Sequence, residues 1–167
     1  MPDTAIVPNP GPLFTFGYEG IDIEAFIARL QAMKVHSVVD VRELPLSRKK
    51  GFSKTAFHEY LQRAGIAYLH MPALGCPKPI RDRYQDDGDW QRYSRDFLAY
   101  LKTQQETLQE LAKIARATTA CLVCYEVDHT RCHRTYVARA AHQLGAPDVK
   151  HLTARTATPD QPLRLVA

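Results

Sequence analysis

The sequence predicts a single three-layer α/β domain in which a mostly parallel sheet of about five strands is flanked by helices. Short apolar runs alternate along the chain with segments of helical periodicity, an order that favours right-handed crossovers between parallel strands. The run from Val35 to Val41 has a continuous apolar centre, which is typical of a strand covered on both faces. A chain of 167 residues, 45% of them hydrophobic, is long enough to bury one core.

Three strands are predicted in the first half of the chain. An aromatic and β-branched run covers residues 14–17, the second strand ends in Asp40-Val41-Arg42, and a third strand covers residues 66–70. Asp22 is expected to cap the helix after the first strand, and Ser53 the helix after the second, because both precede residues at helical spacing.

The second half begins with a stretch rich in proline, glycine and charge. We predict that residues 71–89 form a long loop, which in a small domain is usually a lid or binding loop. Residues 90–115 show helical periodicity and predict one or two helices with a break near Thr103. Three elements follow: a strand at 120–124, a helix at 132–145 and a weak strand at 149–152.

These elements define one domain with short extensions. The α/β domain covers residues 13–152, an N-terminal extension covers residues 1–12, and residues 153–167 form a peripheral tail containing two prolines. Neither an internal repeat nor a low-complexity tract interrupts the pattern.

Composition narrows the environment of the protein. A net charge of +4 and a pI near 8.9 allow phosphate-bearing partners without requiring them. The four cysteines lack the pattern of a secreted disulfide scaffold, and the N-terminus lacks the charged and apolar regions of a signal peptide. No apolar run approaches the roughly 20 residues that cross a bilayer. We therefore expect a cytoplasmic protein with reduced thiols and no membrane partner; its oligomeric state stays open.

Four segments rich in reactive groups directly follow predicted strands. They are residues 17–20, 40–42, 70–75 and 124–134. Ligands of open α/β sheets bind beyond the carboxyl ends of the strands, so these segments are expected to meet in one site. From the first of them, Gly17, Tyr18 and Glu19 are candidate binding residues.

The same segments carry motifs that resemble the domain of unknown function 488 family. The motifs are Gly17-Tyr18, Asp40-Val41-Arg42, Pro45-Leu46-Ser47, Cys124-Tyr125-Glu126 and Cys132-His133-Arg134. The resemblance extends from about Phe14 to Leu152, and five motifs in order make it specific. It implies an α/β fold with a pocket formed at these positions, Ser47 included, and it implies no particular reaction.

Candidate catalytic groups cluster between the fourth strand and the last helix. Cys132 is expected in the first turn of a helix beside His133 and Arg134, where the helix dipole and the cations favour a thiolate. Glu126 and His133 are candidates for general acid and base. Cys124 is either a further reactive thiol or a small buried residue, as free cysteines usually are.

The arginines predict an anionic ligand. Arg42, Arg48 and Arg134 can form a clamp, because guanidinium groups match phosphate or carboxylate oxygens in pairs. Alternatively, Arg42 pairs with Asp40, Glu43 or Glu126 and locks the loop. The basic run from Arg48 to Lys54 includes an aromatic residue and keeps nucleic acid open as a partner, although such runs are more often solvated surfaces.

No metal or other cofactor is expected. A set of Cys124, His129, Cys132 and His133 has the right number of ligands for zinc, but it lacks a Cys-x-x-Cys pair matched to a second pair. Cys121 and Cys124 have the spacing of such a pair, yet residues three apart in a strand point to opposite faces.

Three functions are compatible with this site. The first is an enzyme acting on a phosphate-bearing substrate such as a nucleotide or nucleic acid. The second is a rhodanese-like sulfurtransferase, although the loop after Cys124 lacks the expected glycine, and a phosphatase-like Cys-x5-Arg fails because Arg131 lies one residue too far. The third is a non-catalytic module that binds nucleic acid or a metabolite through the arginines and does not need the thiols.

Overall fold

The computed structural model describes residues 10–161, which form one mixed sheet with helices on both faces. Its strands are β1 (Leu13–Gly17), β2 (Ser37–Asp40), β3 (Ala67–His70), β4 (Ala120–Cys124), β5 (Val149–Leu152) and β6 (Ala157–Pro159). Its α-helices are α1 (Ile23–Ala32), α2 (Lys54–Arg63), α3 (Lys78–Asp87), α4 (Trp90–Leu101), α5 (Gln105–Ala117) and α6 (His133–Gln143). This architecture confirms the predicted three-layer α/β class.

The sheet has the strand order β3-β2-β4-β1-β5-β6. Its first five strands are parallel, and β6 runs antiparallel to β5. The register sets Gly17 opposite Cys124 and Asp40 opposite Val123. The carboxyl ends of β1, β2 and β4 therefore lie side by side, which brings the segments that follow them to one edge of the sheet.

Two apolar clusters lie on opposite faces of the sheet, because successive strand residues point to opposite sides. On one face, Phe16 and Cys121 pack with the apolar residues of α1 and α2. On the other face, Leu122 and Cys124 pack with α4, α5 and α6. The opposite orientation predicted for Cys121 and Cys124 is confirmed.

The predicted helix signals agree with the observed boundaries. The Asp22 carboxylate accepts a hydrogen bond from the backbone N–H of Ala25 at 2.8 Å and caps α1. Ser53 occupies the N-cap position of α2 without a side-chain hydrogen bond. The break predicted near Thr103 is the connection between α4 and α5.

The prediction of a long loop over residues 71–89 is wrong. A short 3-10 turn, Pro72–Leu74, and the ten-residue helix α3 occupy most of this stretch. Pro77 is the N-cap of α3 and Pro79 lies in its first turn, where a missing backbone N–H costs no helical hydrogen bond. The prolines therefore mark the start of this helix. None of its residues is fully buried, so its sequence has no apolar stripe from which helical periodicity could be recognised.

The segment predicted as a peripheral tail adds the sixth strand in its described part. Lys150 pairs with Pro159 in register, and a proline is tolerated because β6 is an edge strand. Arg139 of α6 holds the segment through two hydrogen bonds to Asp160, at 2.8 and 3.0 Å. Residues 1–9 and 162–167, which include most of the predicted N-terminal extension, lie outside the described residues. None of the described helices is long and apolar enough to cross a membrane.

Candidate functional site

A cavity of about 530 Å³ lies at the edge where β1, β2 and β4 end. Tyr18 follows β1, and residues between Arg42 and Arg48 follow β2. Cys124 ends β4, and Tyr125, Glu126, Arg131 and His133 come after it. The opposite wall comes from α3 and α4 and contributes Arg81, Tyr84, Gln85, Trp90 and Tyr93. Three of the four segments predicted to converge therefore line a cavity large enough for a small-molecule ligand, whereas residues 70–75 do not line it.

Two thiols and a carboxylate meet at the floor of the cavity. Cys124 ends β4 and Cys132 is the N-cap residue of α6, and their sulfur atoms are 2.7 Å apart. The Glu126 Oε2 atom lies 3.4 Å from each sulfur. Both cysteines are buried, whereas Glu126 is exposed to the cavity. The connection from β4 to α6 thus folds back on itself and assembles three of the predicted catalytic residues.

The fold-back depends on local hydrogen bonds in the β4–α6 connection. The Asp128 carboxylate accepts hydrogen bonds from the backbone N–H and the hydroxyl of Thr130, and this caps the short 3-10 helix His129–Arg131. The Thr135 hydroxyl donates to the carbonyl of His129 at 2.6 Å. These contacts turn the chain so that Cys132 returns to the end of β4.

Arg134 lies beneath this connection and is fully buried. It donates a hydrogen bond to the Cys124 sulfur at 3.2 Å and others to the carbonyls of Glu126 and Val127. It does not line the cavity, and its Nε–H has no partner among the described residues. In this arrangement Arg134 holds the thiol pair and the loop in place.

The environment of Cys124 favours the protonated form of its thiol. Burial raises the pKa of Cys124 well above its usual value, and the adjacent Cys132 raises it further, although Arg134 acts in the opposite direction. Burial likewise raises the pKa of Cys121 on the far face of the sheet. A protonated Cys124 donates hydrogen bonds more readily than it attacks a substrate.

His133 is held in one orientation by the backbone. Its Nε2 atom is 2.7 Å from the carbonyl oxygen of Val41, which can only accept, so Nε2 carries the proton. In the neutral ring Nδ1 then has a free lone pair, and it lies 3.9 Å from the Cys132 sulfur. The edge of the ring packs against Phe97, with 5.4 Å between the ring centroids.

Arg42 is held by a buried carboxylate, as one of the two sequence interpretations expected. Its Nε and Nη2 donate to the two oxygens of Asp40, each at 2.8 Å. Its Nη1 donates to the Tyr18 hydroxyl at 3.1 Å and to the Phe52 carbonyl at 2.6 Å. The Tyr68 hydroxyl also donates to Asp40 at 2.6 Å. Arg42 forms part of the cavity wall, with four of its five N–H groups occupied.

Two other arginines on the cavity are available to a ligand. Arg48 and Arg131 are exposed, and neither makes a side-chain hydrogen bond or ion pair within residues 10–161. Arg81, in contrast, donates to Glu43 at 2.9 Å. The Ser47 hydroxyl lies at the same rim and accepts the backbone N–H of Lys49 at 3.1 Å.

Gly17 and Glu19 lie beside the loop and outside the cavity lining. A Cβ atom at Gly17 would overlap the backbone carbonyl of Glu126, so only glycine lets the two segments approach. The Glu19 carboxylate accepts the backbone N–H of Val127 at 3.0 Å. Both residues thereby help to place Glu126, while Tyr18 reaches the cavity itself.

Sequence reasoning missed the wall formed by α3 and α4. Tyr84, Trp90 and Tyr93 form a compact aromatic cluster, with centroid separations between 4.7 and 5.7 Å. Cys76 lies on the same side, and burial raises its pKa to about 11. Helical periodicity marks such aromatic residues as core, so only the position of their helices beside the strand ends reveals that they line a cavity.

His129 lies apart from the thiols that it was grouped with in the hypothetical metal set. Its ring stacks on His151 with 3.8 Å between the centroids. The cysteine and histidine atoms that do lie together, all within 4.8 Å of one another, belong to Cys124, Cys132 and His133.

Comparison with known proteins agrees with the motifs. No curated protein and no solved structure matches the chain. The family model described as Domain of unknown function DUF488 matches residues 22–141, well over half of the sequence. That range contains the end of β2, the thiol pair, Glu126 and the Cys132-His133-Arg134 motif. The chain therefore belongs to the DUF488 family.

Proposed function

We propose that the protein is an enzyme that binds a phosphate-bearing small molecule of nucleotide size and transforms it at the floor of the cavity. The observation that carries this proposal is the pair of exposed guanidinium groups, Arg48 and Arg131, on a cavity whose floor holds Glu126 and His133. Guanidinium groups that lack a protein acceptor favour an anionic ligand, and phosphate oxygens match their geometry.

The size and the wall of the cavity favour a ligand with a planar group. A volume of about 530 Å³ lies within the usual range for small-molecule sites. Trp90 and Tyr84 on one wall are only partly buried, and Tyr125 on the other side is 48% exposed. A nucleobase can stack on such rings while its phosphate contacts the arginines, which makes a nucleotide the preferred class.

Glu126 is the preferred proton-transfer group. Its carboxylate is exposed to the cavity and lies at hydrogen-bonding distance from two buried thiols. His133 lies at the same floor, held by the hydrogen bond from its Nε2 to the Val41 carbonyl. The sulfurtransferase alternative is less favoured, because a buried Cys124 with a raised pKa is a poor nucleophile.

Ligand binding tests the anion part of the proposal. Isothermal titration with inorganic phosphate, nucleoside phosphates, sugar phosphates and a short oligonucleotide should show binding to the wild type. The double variant Arg48→Ala/Arg131→Ala should bind at least about tenfold more weakly, because each charged hydrogen bond contributes about 1.5–3 kcal/mol. Arg95→Ala, which removes an exposed arginine outside the cavity, is the matched control.

Turnover tests the catalytic part. The phosphate-bearing compound that binds most tightly should be converted by the wild type and not by Glu126→Gln, with product detected by phosphorus NMR or chromatography. Binding by Glu126→Gln should remain. Equal weakening by Arg95→Ala, or no binding of any phosphate compound, would contradict the anion pocket. Tight binding without turnover would instead support a binding module.

A further inference from the structure

The cluster at the cavity floor has the composition of a metal site. Cys124 and Cys132 supply sulfur and His133 supplies nitrogen, and these atoms lie within 4.8 Å of one another. They are borderline-soft ligands of the kind that Zn²⁺ prefers, and catalytic zinc sites commonly have three protein ligands. Cys124 ends a strand, and Cys132 and His133 begin a helix. The sequence therefore lacks the paired Cys-x-x-Cys spacing by which many zinc sites are recognised.

Four distances within the cluster can be compared with those around a tetrahedral ion. Zinc bonds of about 2.3 Å to sulfur and 2.0–2.1 Å to nitrogen or oxygen place neighbouring ligand atoms roughly 3.3–3.8 Å apart. His133 Nδ1 is 3.9 Å from the Cys132 sulfur, just above this range. The Glu126 Oε2 atom, 3.4 Å from each sulfur, lies beside the remaining position. The sulfur–sulfur distance, 2.7 Å, is about 1 Å shorter than this geometry requires, so the two thiols must move apart when an ion binds.

The surroundings also match those of a metal ligand set. A histidine that binds a metal through one ring nitrogen usually donates the other N–H to a carbonyl or carboxylate, and His133 Nε2 donates to Val41 in this way. Arg134 donates to the Cys124 sulfur and supplies a buried positive charge. Metal binding would displace the protons of both thiols to solvent, and with Zn²⁺, the two resulting thiolates, the Glu126 carboxylate and this guanidinium, the formal charges cancel.

From these observations we infer that Cys124, Cys132 and His133 bind a divalent transition metal of the zinc class, with the Glu126 carboxylate beside the open fourth position. Cys124, Glu126 and His133 border the cavity, so an ion has a path of entry and its open side faces a bound ligand. Two cysteines, one histidine and a carboxylate beside the open position form the set by which zinc deaminases activate water. Such a site would supply hydrolytic chemistry to the cavity, and its existence does not depend on the anion proposed above.

A disulfide between Cys124 and Cys132 is the competing explanation for the short sulfur–sulfur distance. Bond formation would require the sulfurs to approach by about 0.7 Å, to roughly 2.05 Å. It would leave His133 Nδ1 without a partner and would remove both thiol donors from Glu126. A metal ion, in contrast, uses both sulfurs and His133 Nδ1 and lies next to the Glu126 carboxylate, and this favours the metal.

Cobalt substitution tests the site directly. The untagged full-length protein, reduced and then freed of reductant, should bind about one equivalent of Zn²⁺ or Co²⁺, and Co²⁺ should give the absorption bands of a tetrahedral thiolate complex. Cys132→Ser and Cys124→Ser should weaken Co²⁺ binding by at least a hundredfold and lose the thiolate bands. Cys76→Ser, which removes a cysteine from the same cavity outside the cluster, should bind like the wild type.

The outcomes separate the two explanations. Absence of Co²⁺ and Zn²⁺ binding by the reduced, folded wild type would overturn the inference, as would equal loss in Cys76→Ser. A purified protein that is two hydrogen atoms lighter than its reduced form and still fails to bind metal after reduction would establish the disulfide instead. Circular dichroism of each serine variant shows that it is folded. These titrations contain no phosphate, so their result is separate from the test of the anion pocket.

Discussion

At the scale of single residues, the most informative side chain is the buried arginine under the thiol pair. Arg134 donates to the Cys124 sulfur and to the carbonyls of Glu126 and Val127, so one guanidinium fixes both the strand end and the loop after it. The sequence predicted that Arg134 binds an anionic ligand, because it places a cation at the start of a helix. The Arg134 side chain points into the protein because it is buried under the β4–α6 connection. It is buried there because this connection folds back over the end of β4, which local spacing does not reveal.

Arg134→Met should lower the free energy of unfolding by about 2–4 kcal/mol. The substitution leaves the buried Cys124 sulfur and two partly buried carbonyls without their donor, at up to about 1–3 kcal/mol for each unsatisfied group, and relieves the burial of one charge. Urea unfolding of the two proteins measures the difference. Arg95→Met, on the exposed face of α4, should change stability by less than about 0.5 kcal/mol. Equal stability of Arg134→Met and the wild type would show that the guanidinium does not hold this loop.

Asp40→Asn should be more damaging than its small change in shape suggests. Asp40 is fully buried and accepts hydrogen bonds from Arg42 and Tyr68, so the substitution leaves the Arg42 charge without a counter-ion. The expected loss is about 3–5 kcal/mol, measured by chemical unfolding. Asp82→Asn is the matched control, because its ion pair with Lys78 is exposed and contributes at most about 1 kcal/mol. A loss for Asp40→Asn no larger than that of the control would contradict the role of this pair.

The sequence placed Cys124, Glu126, Cys132 and His133 in one region because chain proximity and a strand-to-helix turn require it. It left two roles open for Arg42, and the structure shows the pairing with Asp40 together with partners that come from elsewhere in the chain. The Phe52 carbonyl and the Tyr68 hydroxyl reach this network from the segments before α2 and in β3. Such contacts depend on the register of three strands and cannot be deduced from local spacing.

At the scale of elements, the close approach of the end of β1 to the loop after β4 sets the position of Glu126. Gly17→Ala should destabilise the fold by about 1–3 kcal/mol, because the added methyl group overlaps the Glu126 carbonyl and strains a close-packed backbone. It should also weaken ligand binding in the cavity, because the loop after β4 must move and displace Glu126, which lines the cavity. Thermal unfolding and the titrations described above measure the two effects.

Gly65→Ala is the control for this prediction. Gly65 follows α2, has a φ of 75° and has open space where the methyl group would be. Its cost should be about 1 kcal/mol from the backbone alone, and ligand binding should be unchanged. Unchanged binding in Gly17→Ala would show that the placement of Glu126 tolerates a displaced β1 end.

Elements with strong periodicity were predicted well, and elements without it were not. The break between α4 and α5 and the cap of α1 followed from apolar spacing and from Asp22. Helix α3 has no fully buried residue, so its sequence carries no apolar stripe, and β6 is only three residues long. Tertiary contacts stabilise both elements: α3 packs against α4, and β6 pairs with β5.

At the scale of the whole molecule, the far edge of the sheet couples stability to pH. His151 in β5 is almost fully buried, with Nε2 at 2.9 Å from Asp160 and Nδ1 at 2.7 Å from the Thr15 hydroxyl. Burial lowers the pKa of His151 to about 4, with a smaller contribution from the stacked His129, although the hydrogen bond to Asp160 opposes the shift. Between about pH 4 and pH 6.5, the His151 imidazole is therefore neutral in the folded protein and protonated in the unfolded chain.

The free energy of unfolding should consequently fall as the pH drops from about 6.5 towards 4. In that interval the unfolded chain takes up a proton at His151 and the folded chain does not, so acidification favours unfolding, by at most about 3 kcal/mol from this residue. Urea unfolding at several pH values between 4.5 and 7.5 measures the slope. His151→Gln, which keeps an amide donor for Asp160 and does not titrate, should remove most of it. His36→Gln, an exposed histidine before β2, should leave the slope unchanged, and an equal slope in His151→Gln would assign the pH dependence to other groups.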